Sequence, residues 1–226
     1  MKSENVRSFL RLSYDIDEDT PHFSSVSPLR RSRHTHVENG DATNTSSVEI
    51  HSHYGTHIDV PYHFHHQGLK ITDLDVNRYH FTNPLLLEIS KEEDQPIRKE
   101  DLVPFESVIS GKDLLLIKTG FSKYRKDHDR YLSNPYLDID SAHYLLDHFP
   151  ELRALGVDCV SILNRKFRAI GIEAHRILLG CYSQERYLLL LEDLNLSCIA
   201  RNVEEVFALP LFVKDADAFP CTVIAR

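Results

Sequence analysis

Cysteine is scarce, cations are outnumbered, and no long apolar run is present. The four cysteines, Cys159, Cys181, Cys198 and Cys221, lie far apart with no C-x-x-C pair. Two bridges are arithmetically possible, but free packing thiols in an intracellular protein are the simpler expectation, with a thiolate ligand left open. Lys and Arg total 26 against 34 Asp and Glu, a net charge of −8. Such a surface repels phosphate backbones and anionic lipid, which argues against nucleic-acid and membrane partners. The longest apolar runs, such as Leu114 to Ile117 and Leu188 to Leu191, fall far short of the ~18 residues of a transmembrane helix. The opening residues Met1 to Arg7 lead into no apolar segment, so no secretory leader is expected and the cytoplasm is the default location. No repeat of solenoid or propeller length is visible. No G-x-S-x-G elbow occurs, which disfavours covalent serine catalysis.

What is present describes a folded enzyme-sized chain. The 226 residues are 42% hydrophobic and 27% charged, and a chain this long buries roughly 70% of its unfolded surface. One domain spanning 1–226 is expected. Short continuous apolar segments read as strands at Ser8–Tyr14, Pro84–Ile89, Leu114–Lys118, Val157–Ile162, Tyr187–Leu191, Leu211–Val213 and Cys221–Ala225. Runs of this length suit strands buried on both faces. Helix signals are fewer. Asp140 and Ser141 can cap a segment with Ala142, Leu145, Leu146 and Phe149 on one face, and a second candidate runs from about Ile172 to Gly180. The fold class is therefore mixed α/β, dominated by sheet. The polar stretch Ser24–Ser47 reads as a long solvated loop, with a substrate lid as the alternative.

One count stands out. Of 14 histidines, six fall between His51 and His66. A His-rich tract is the bland alternative, but specific Gly, Asp and Pro residues interleave here, which favours a built site. His53, His57, Asp59 and His63 occupy alternate positions and would share one face of a strand. A straight strand would nevertheless spread His53 and His63 over roughly 33 Å. Gly55 and Pro61 can break it and wrap the ligands around one point. Two imidazoles and a carboxylate suit zinc, manganese or iron, with room for water. His51, His65 and His66 are expected to be surface residues.

The string H-x-G-T-H-x-D-x-P-x-H from His53 to His63 specifies seven of eleven positions. It resembles the defining motif of the cyclase family, metal-dependent hydrolases that include bacterial kynurenine formamidases and isatin hydrolases. Further likeness runs through Leu12-Ser-Tyr, Thr20-Pro21, Lys118-Thr-Gly-Phe121, Gly156 to Ile162, His175 to Leu179, Leu191 to Leu196, Leu209-Pro210 and Pro220 to Ala225. The resemblance implies a swivelling β/β/α fold and a divalent metal, zinc or manganese, as one or two ions. It implies that His53, His57 and Asp59 hold the first metal, with Asp59 bridging to a second position completed by His175 and Glu192. His63 matches the general acid–base. A small-molecule substrate and a homodimer or homotetramer are implied as partners.

The likeness departs at three places. The interval from His175 to Glu192 is longer than usual, through Cys181 to Arg186, which makes Glu185 a rival to Glu192. Asp217-Ala-Phe-Pro220 stands where a Gly-Ser pair is usual, so the turn there is expected to differ. Ser24 to Asp41 matches poorly, in a region that shapes the substrate pocket. Asp158 is either a partner behind the ligands or a turn residue. Ser161 reads first as a plain strand serine, with pocket lining as the alternative. The expected reaction is hydrolysis of a small amide, formamide or cyclic amide, with the metal activating water and His63 passing a proton to the leaving nitrogen. A cyclase, dehydratase or lactone hydrolase would need the same groups. A non-enzymatic metal-binding protein would be expected to lose Asp59 or His63, and both are present.

Overall fold

A computed structural model describes residues 8–183, 185–199 and 203–226. The opening residues 1–7 and Gln184, within the lengthened interval, lie outside it. The strands are β1 (Leu10–Arg11), β2 (Arg30–Thr35), β3 (Thr45–Glu49), β4 (His57–Asp59), β5 (His80–Phe81), β6 (Pro84–Glu88), β7 (Pro96–Ile97), β8 (Leu114–Lys118), β9 (Tyr136–Leu137), β10 (Ala154–Val157), β11 (Leu189–Glu192), β12 (Val206–Pro210) and β13 (Ala218–Ala225). The helices are α1 (Lys99–Leu102), α2 (Glu106–Ile109), α3 (His128–Tyr131), α4 (Ile139–His148) and α5 (Arg168–Leu178). The fold is mixed α/β with the sheet dominant.

Nine strands form the main sheet, in the order β5-β12-β13-β4-β11-β10-β8-β6, with β1 also paired to β13. Strands β6, β8, β10 and β11 run parallel to one another. From β11 onward the pairings with β4, β13, β12 and β5 are antiparallel. Strand β4 therefore sits where the parallel half gives way to the antiparallel half. Neighbouring side chains of the parallel strands enter opposite cores, as period-two geometry requires. Leu115, Ile117 and Leu190 join the core shared with α4 and α5, while Leu114, Leu116, Leu189 and Leu191 join the core on the other face. Burial on both faces explains why these strands carry continuous apolar runs.

The boundaries differ from expectation in instructive places. Ser24–Ser47 is not a plain loop, because it holds β2 and the start of β3, which pair as an antiparallel hairpin running on to Glu49. Its cross-strand contacts are polar, Thr35 to Thr45 at 2.8 Å and His34 to Ser47 at 2.5 Å, so no apolar alternation marks it. The expected strand Val157–Ile162 ends at Val157, where Asp158 turns the chain by accepting from Thr119 and Gly120. Leu211–Val213 is exposed and follows β12, which ends at Pro210. Helix α4 begins one residue before Asp140, and Ser141 lies inside its first turn, donating to the Ile97 carbonyl at 2.8 Å. Helix α5 starts four residues earlier than expected. All four cysteines are free, with Cys159 and Cys221 buried, Cys181 half-buried and Cys198 exposed.

Candidate metal centre and active site

The site grows from a chain that cannot stay extended. Gly55 has a left-handed φ of 66°, a conformation that side chains other than glycine rarely adopt. A Cβ there would also approach Ile16 at 3.3 Å and Thr20 at 3.4 Å. After this turn the chain pairs as β4 for three residues, and Pro61 then opens a short helical turn, Pro61–His63. The two bends bring the His53 and His63 rings to 4.1 Å between centroids. The expected wrapping by Gly55 and Pro61 is what the structure contains.

Register delivers the remaining residues. His57 and Asp59 project from one face of β4, and Glu192 of β11 lies directly across from His57. His175 comes from the sheet-facing side of α5, flanked by buried Ala174, Ile177 and Leu178. His57 Nε2 lies 3.4 Å from both Asp59 Oδ1 and Glu192 Oε2. His175 Nε2 lies 3.5 Å from Glu192 Oε1 and 3.9 Å from Asp59 Oδ2. His53 Nδ1 is 3.0 Å from Asp59 Oδ1. Two groups of potential ligands thus share Asp59: His53, His57 and Asp59, and Asp59, His175 and Glu192.

The donor set fits a divalent cation. His57 Nδ1 donates to the Gly55 carbonyl at 2.8 Å, and His175 Nδ1 donates to the Gly171 carbonyl at 2.7 Å. Each imidazole therefore turns an unprotonated Nε2 toward the carboxylates, the arrangement typical of metal-ligating histidines. His57 Nε2 and both Asp59 carboxylate oxygens are buried without a hydrogen-bond partner. Buried polar atoms are normally satisfied, and a cation would satisfy all three at once.

Electrostatics agree. His53 is pushed up to about 10: burial opposes its charge, but Asp59 and Asp217 beside it prevail. Glu192 is drawn down to about 2, with burial outweighed by the imidazoles of His175 and His57 beside it. Asp59 also lies below the usual carboxylate range, burial being overcome by His53 and His57.

Several neighbours hold this cradle. Ser161 Oγ and the Ile162 N–H donate to Glu192 Oε1 at 2.9 and 2.8 Å. Ser161 is thus neither a strand residue nor merely pocket lining, because it fixes the carboxylate. Thr56 Oγ1 donates to the Asp193 carbonyl at 2.6 Å, tying the motif to the residue after Glu192. Asp193 itself has a left-handed φ of 55° and is gripped by Arg125 and Tyr131. Neither Arg125 nor Tyr131 sits in a motif that sequence inspection would single out. Asp158 proves to be a turn residue. Glu185 is exposed and stands in none of the three groups of potential ligands, the third being His53, His63 and Asp217. His51, expected on the surface, instead lines the cavity and accepts from the His53 N–H at 3.2 Å. His65 is half-buried and His66 exposed.

The cluster floors a cavity of about 460 Å³ whose walls include Phe23, Val26, Phe64, Val160, Leu163 and Ile172. His63 borders the cavity, half-buried, with Phe64 edge-on to its ring. Asp217, flagged in the sequence only as part of an unusual turn, reaches both His53 and His63 at 2.9 Å. Among the described residues no helix is long and apolar enough to cross a membrane.

The cyclase family model, described as "Putative cyclase", matches residues 10–162. A kynurenine formamidase of Bacillus cereus is 32% identical over 192 residues, covering 84% of this chain and 83% of that protein. A kynurenine formamidase of Geobacillus thermodenitrificans is 29% identical over 231 residues, covering 98% of each. Isatin hydrolase A from Ralstonia solanacearum shares the fold, with a TM-score of 0.83 at 17% identity over 96% of this chain and 91% of that one. A structure described as a predicted metal-dependent hydrolase from Bacillus stearothermophilus has a TM-score of 0.75 at 23% identity, covering 96% and 97%.

Proposed function

The chain belongs to the cyclase family, and on that premise we propose that it is a metal-dependent hydrolase of a small amide, formamide or cyclic amide. The observation that carries this reading is the unsatisfied trio of buried atoms, His57 Nε2 and both Asp59 oxygens. His53, His57 and Asp59 would hold one zinc or manganese ion, and Asp59, His175 and Glu192 a second. Such a cation supplies Lewis acidity, which acidifies water and polarises a carbonyl. The chain's own residues do the rest. Apolar walls exclude water and seat a planar substrate, since a cavity of about 460 Å³ is in the range of small-molecule sites. His63, at the cavity edge, takes a proton from the attacking water and returns it to the leaving nitrogen.

Kynurenine formamidases among the relatives support a formamide as the first substrate to try. Protein purified without chelator and analysed for metal should contain zinc or manganese and hydrolyse at least one of N-formylkynurenine, isatin or a simple lactone. His63→Ala should keep its metal and lose about 10²–10⁴-fold in kcat. A metal-free protein inactive on all three after reconstitution would overturn the proposal.

A cytoplasmic homodimer or homotetramer completes the reading. Its support is the β2–β3 hairpin, in which every strand residue but Thr35 is exposed. Isolated two-stranded hairpins are marginal in water, and a second copy of the chain would cover it. Sedimentation should therefore give a dimer or tetramer mass.

A further inference from the structure

Asp217 lies more than 150 residues from the central motif, yet it contacts two of that motif's histidines. Its position is set by the sheet. Strand β13 pairs with β4 through Ala218 and Asp59, and the ladder continues one step further, where the Val60 N–H donates to the Asp217 carbonyl at 3.1 Å. That step aims the Asp217 side chain across the face of β4 toward the rings of His53 and His63. One oxygen, Oδ2, lies 2.9 Å from His53 Nε2 and 2.9 Å from His63 Nδ1.

His53, His63 and Asp217 also form a group of potential ligands, but both 2.9 Å contacts meet the geometry of hydrogen bonds, which the 3.0 Å approach of His53 Nδ1 to Asp59 Oδ1 does not. Two donors each about 2.0–2.1 Å from a tetrahedral metal stand about 3.3 Å apart, close to the 3.4–3.5 Å spacings from His57 and His175 to Glu192. At 2.9 Å each nitrogen instead donates to the carboxylate. A carboxylate only accepts, so its partner nitrogens must both carry hydrogen. The other nitrogen of each neutral ring is then left with its lone pair.

We propose that Asp217 is a positioning residue whose single oxygen sets the tautomers of both His53 and His63. With a cation bound, His53 is held as the Nε2–H form and presents the Nδ1 lone pair beside Asp59. His63 is held as the Nδ1–H form and keeps Nε2 as the nitrogen that accepts and returns the proton. One carboxylate thereby coordinates the two halves of the site, the ligand side and the proton-transfer side. The proposal rests on the hydrolase reading for its consequence on turnover, but the tautomers themselves can be measured without a substrate.

The test uses the full chain labelled with ¹⁵N-histidine and loaded with zinc, in the wild type, Asp217→Ala and the near-isosteric Asp217→Asn. Imidazole ¹H–¹⁵N spectra at mildly alkaline pH should show His63 as the Nδ1–H form in the wild type. In Asp217→Ala that signature should be lost or divided between tautomers, and zinc affinity in chelator competition should fall about tenfold through His53. On whichever substrate is turned over, Asp217→Ala should lower kcat about 10- to 100-fold with KM within about twofold. The double variant His63→Ala/Asp217→Ala should be no slower than His63→Ala alone. A wild-type His63 in the Nε2–H form would overturn the proposal, as would unchanged His63 tautomers in both Asp217 variants or fully additive losses in the double variant. Absence of turnover on every substrate would count against the hydrolase reading and leave the spectroscopic result to decide the role of Asp217.

Discussion

Strand β4 and the β2–β3 hairpin are both rich in polar side chains, and they have opposite fates. All three residues of β4 are buried, including His57 and Asp59, whereas ten of the eleven hairpin residues are exposed. In the hairpin, Arg, Ser and Thr keep their water or bond across the ribbon, so exposure costs nothing. In β4 the same choice was open, yet two ionisable groups sit in the interior with atoms that no protein donor satisfies. Burying such groups without partners is strongly unfavourable. Polarity alone therefore does not decide where a segment goes; convergence does. β4 is buried because its side chains, with Glu192 and His175, make one donor set.

Four measurements can break or sharpen that contrast. The largest effect is expected at β4 itself: Asp59→Asn removes the carboxylate shared by both ligand groups and should abolish metal binding, with turnover down about 10³-fold or more. As the other half of that same measurement, replacing residues 30–49 by a short turn should leave metal content unchanged, and metal loss in that deletion would erase the contrast. Next is Ser161→Ala, which removes a donor to Glu192 Oε1. Outer partners of ligands are typically worth 10–100-fold, so chelator competition should show metal held about tenfold more weakly, with the fold intact.

The third is a smaller, pH-dependent effect on the metal-free protein. His53 is raised to about 10, so its contribution to stability is complete below its unfolded value of about 6.5 and is lost as pH climbs toward 10. Glu192 is lowered to about 2, so its contribution is complete above about 4.5 and is lost as pH falls toward 2. Through these two groups the chelated protein should be most heat-stable between about pH 4.5 and 6.5. Added metal competes with protons for the same atoms, so the Tm increase it confers should grow from pH 6 to 9. A chelated protein whose Tm rises across that interval would contradict the arrangement. The smallest effect is Glu185→Gln, at an exposed residue, which should change stability by no more than about 0.5 kcal/mol and metal content not at all.

The parts of this molecule that could be read in advance are those where one local pattern suffices. The runs at Leu114–Lys118 and Tyr187–Leu191 announced strands buried on both faces, because two cores demand continuous apolar side chains. Gly55 and Pro61 announced a wrapped segment, because neither sits comfortably in a straight strand. Boundaries escaped where a tertiary contact ends an element, as Asp158 does by capturing Thr119 and Gly120. The hairpin escaped because its pairing is polar and carries no period-two signal. Ser161 and Asp217 escaped for a different reason. Each is an ordinary residue whose role exists only through a partner 31 residues away in one case and 154 or more in the other, a relation that only the ladder of strands creates.

The division between floor and walls of the cavity has an evolutionary consequence. The floor is anchored in β4, β11 and α5 by ladder hydrogen bonds and shared carboxylates, so each change there disturbs several residues together. The walls come largely from segments around Phe23 and Val26, before the hairpin, and around Val160 and Leu163, after β10. Those side chains are not themselves among the potential ligands. A lineage built this way can drift from one substrate to another by small steps while inheriting its chemistry intact. Descendants would then be expected to agree at Asp59 and disagree at Phe23.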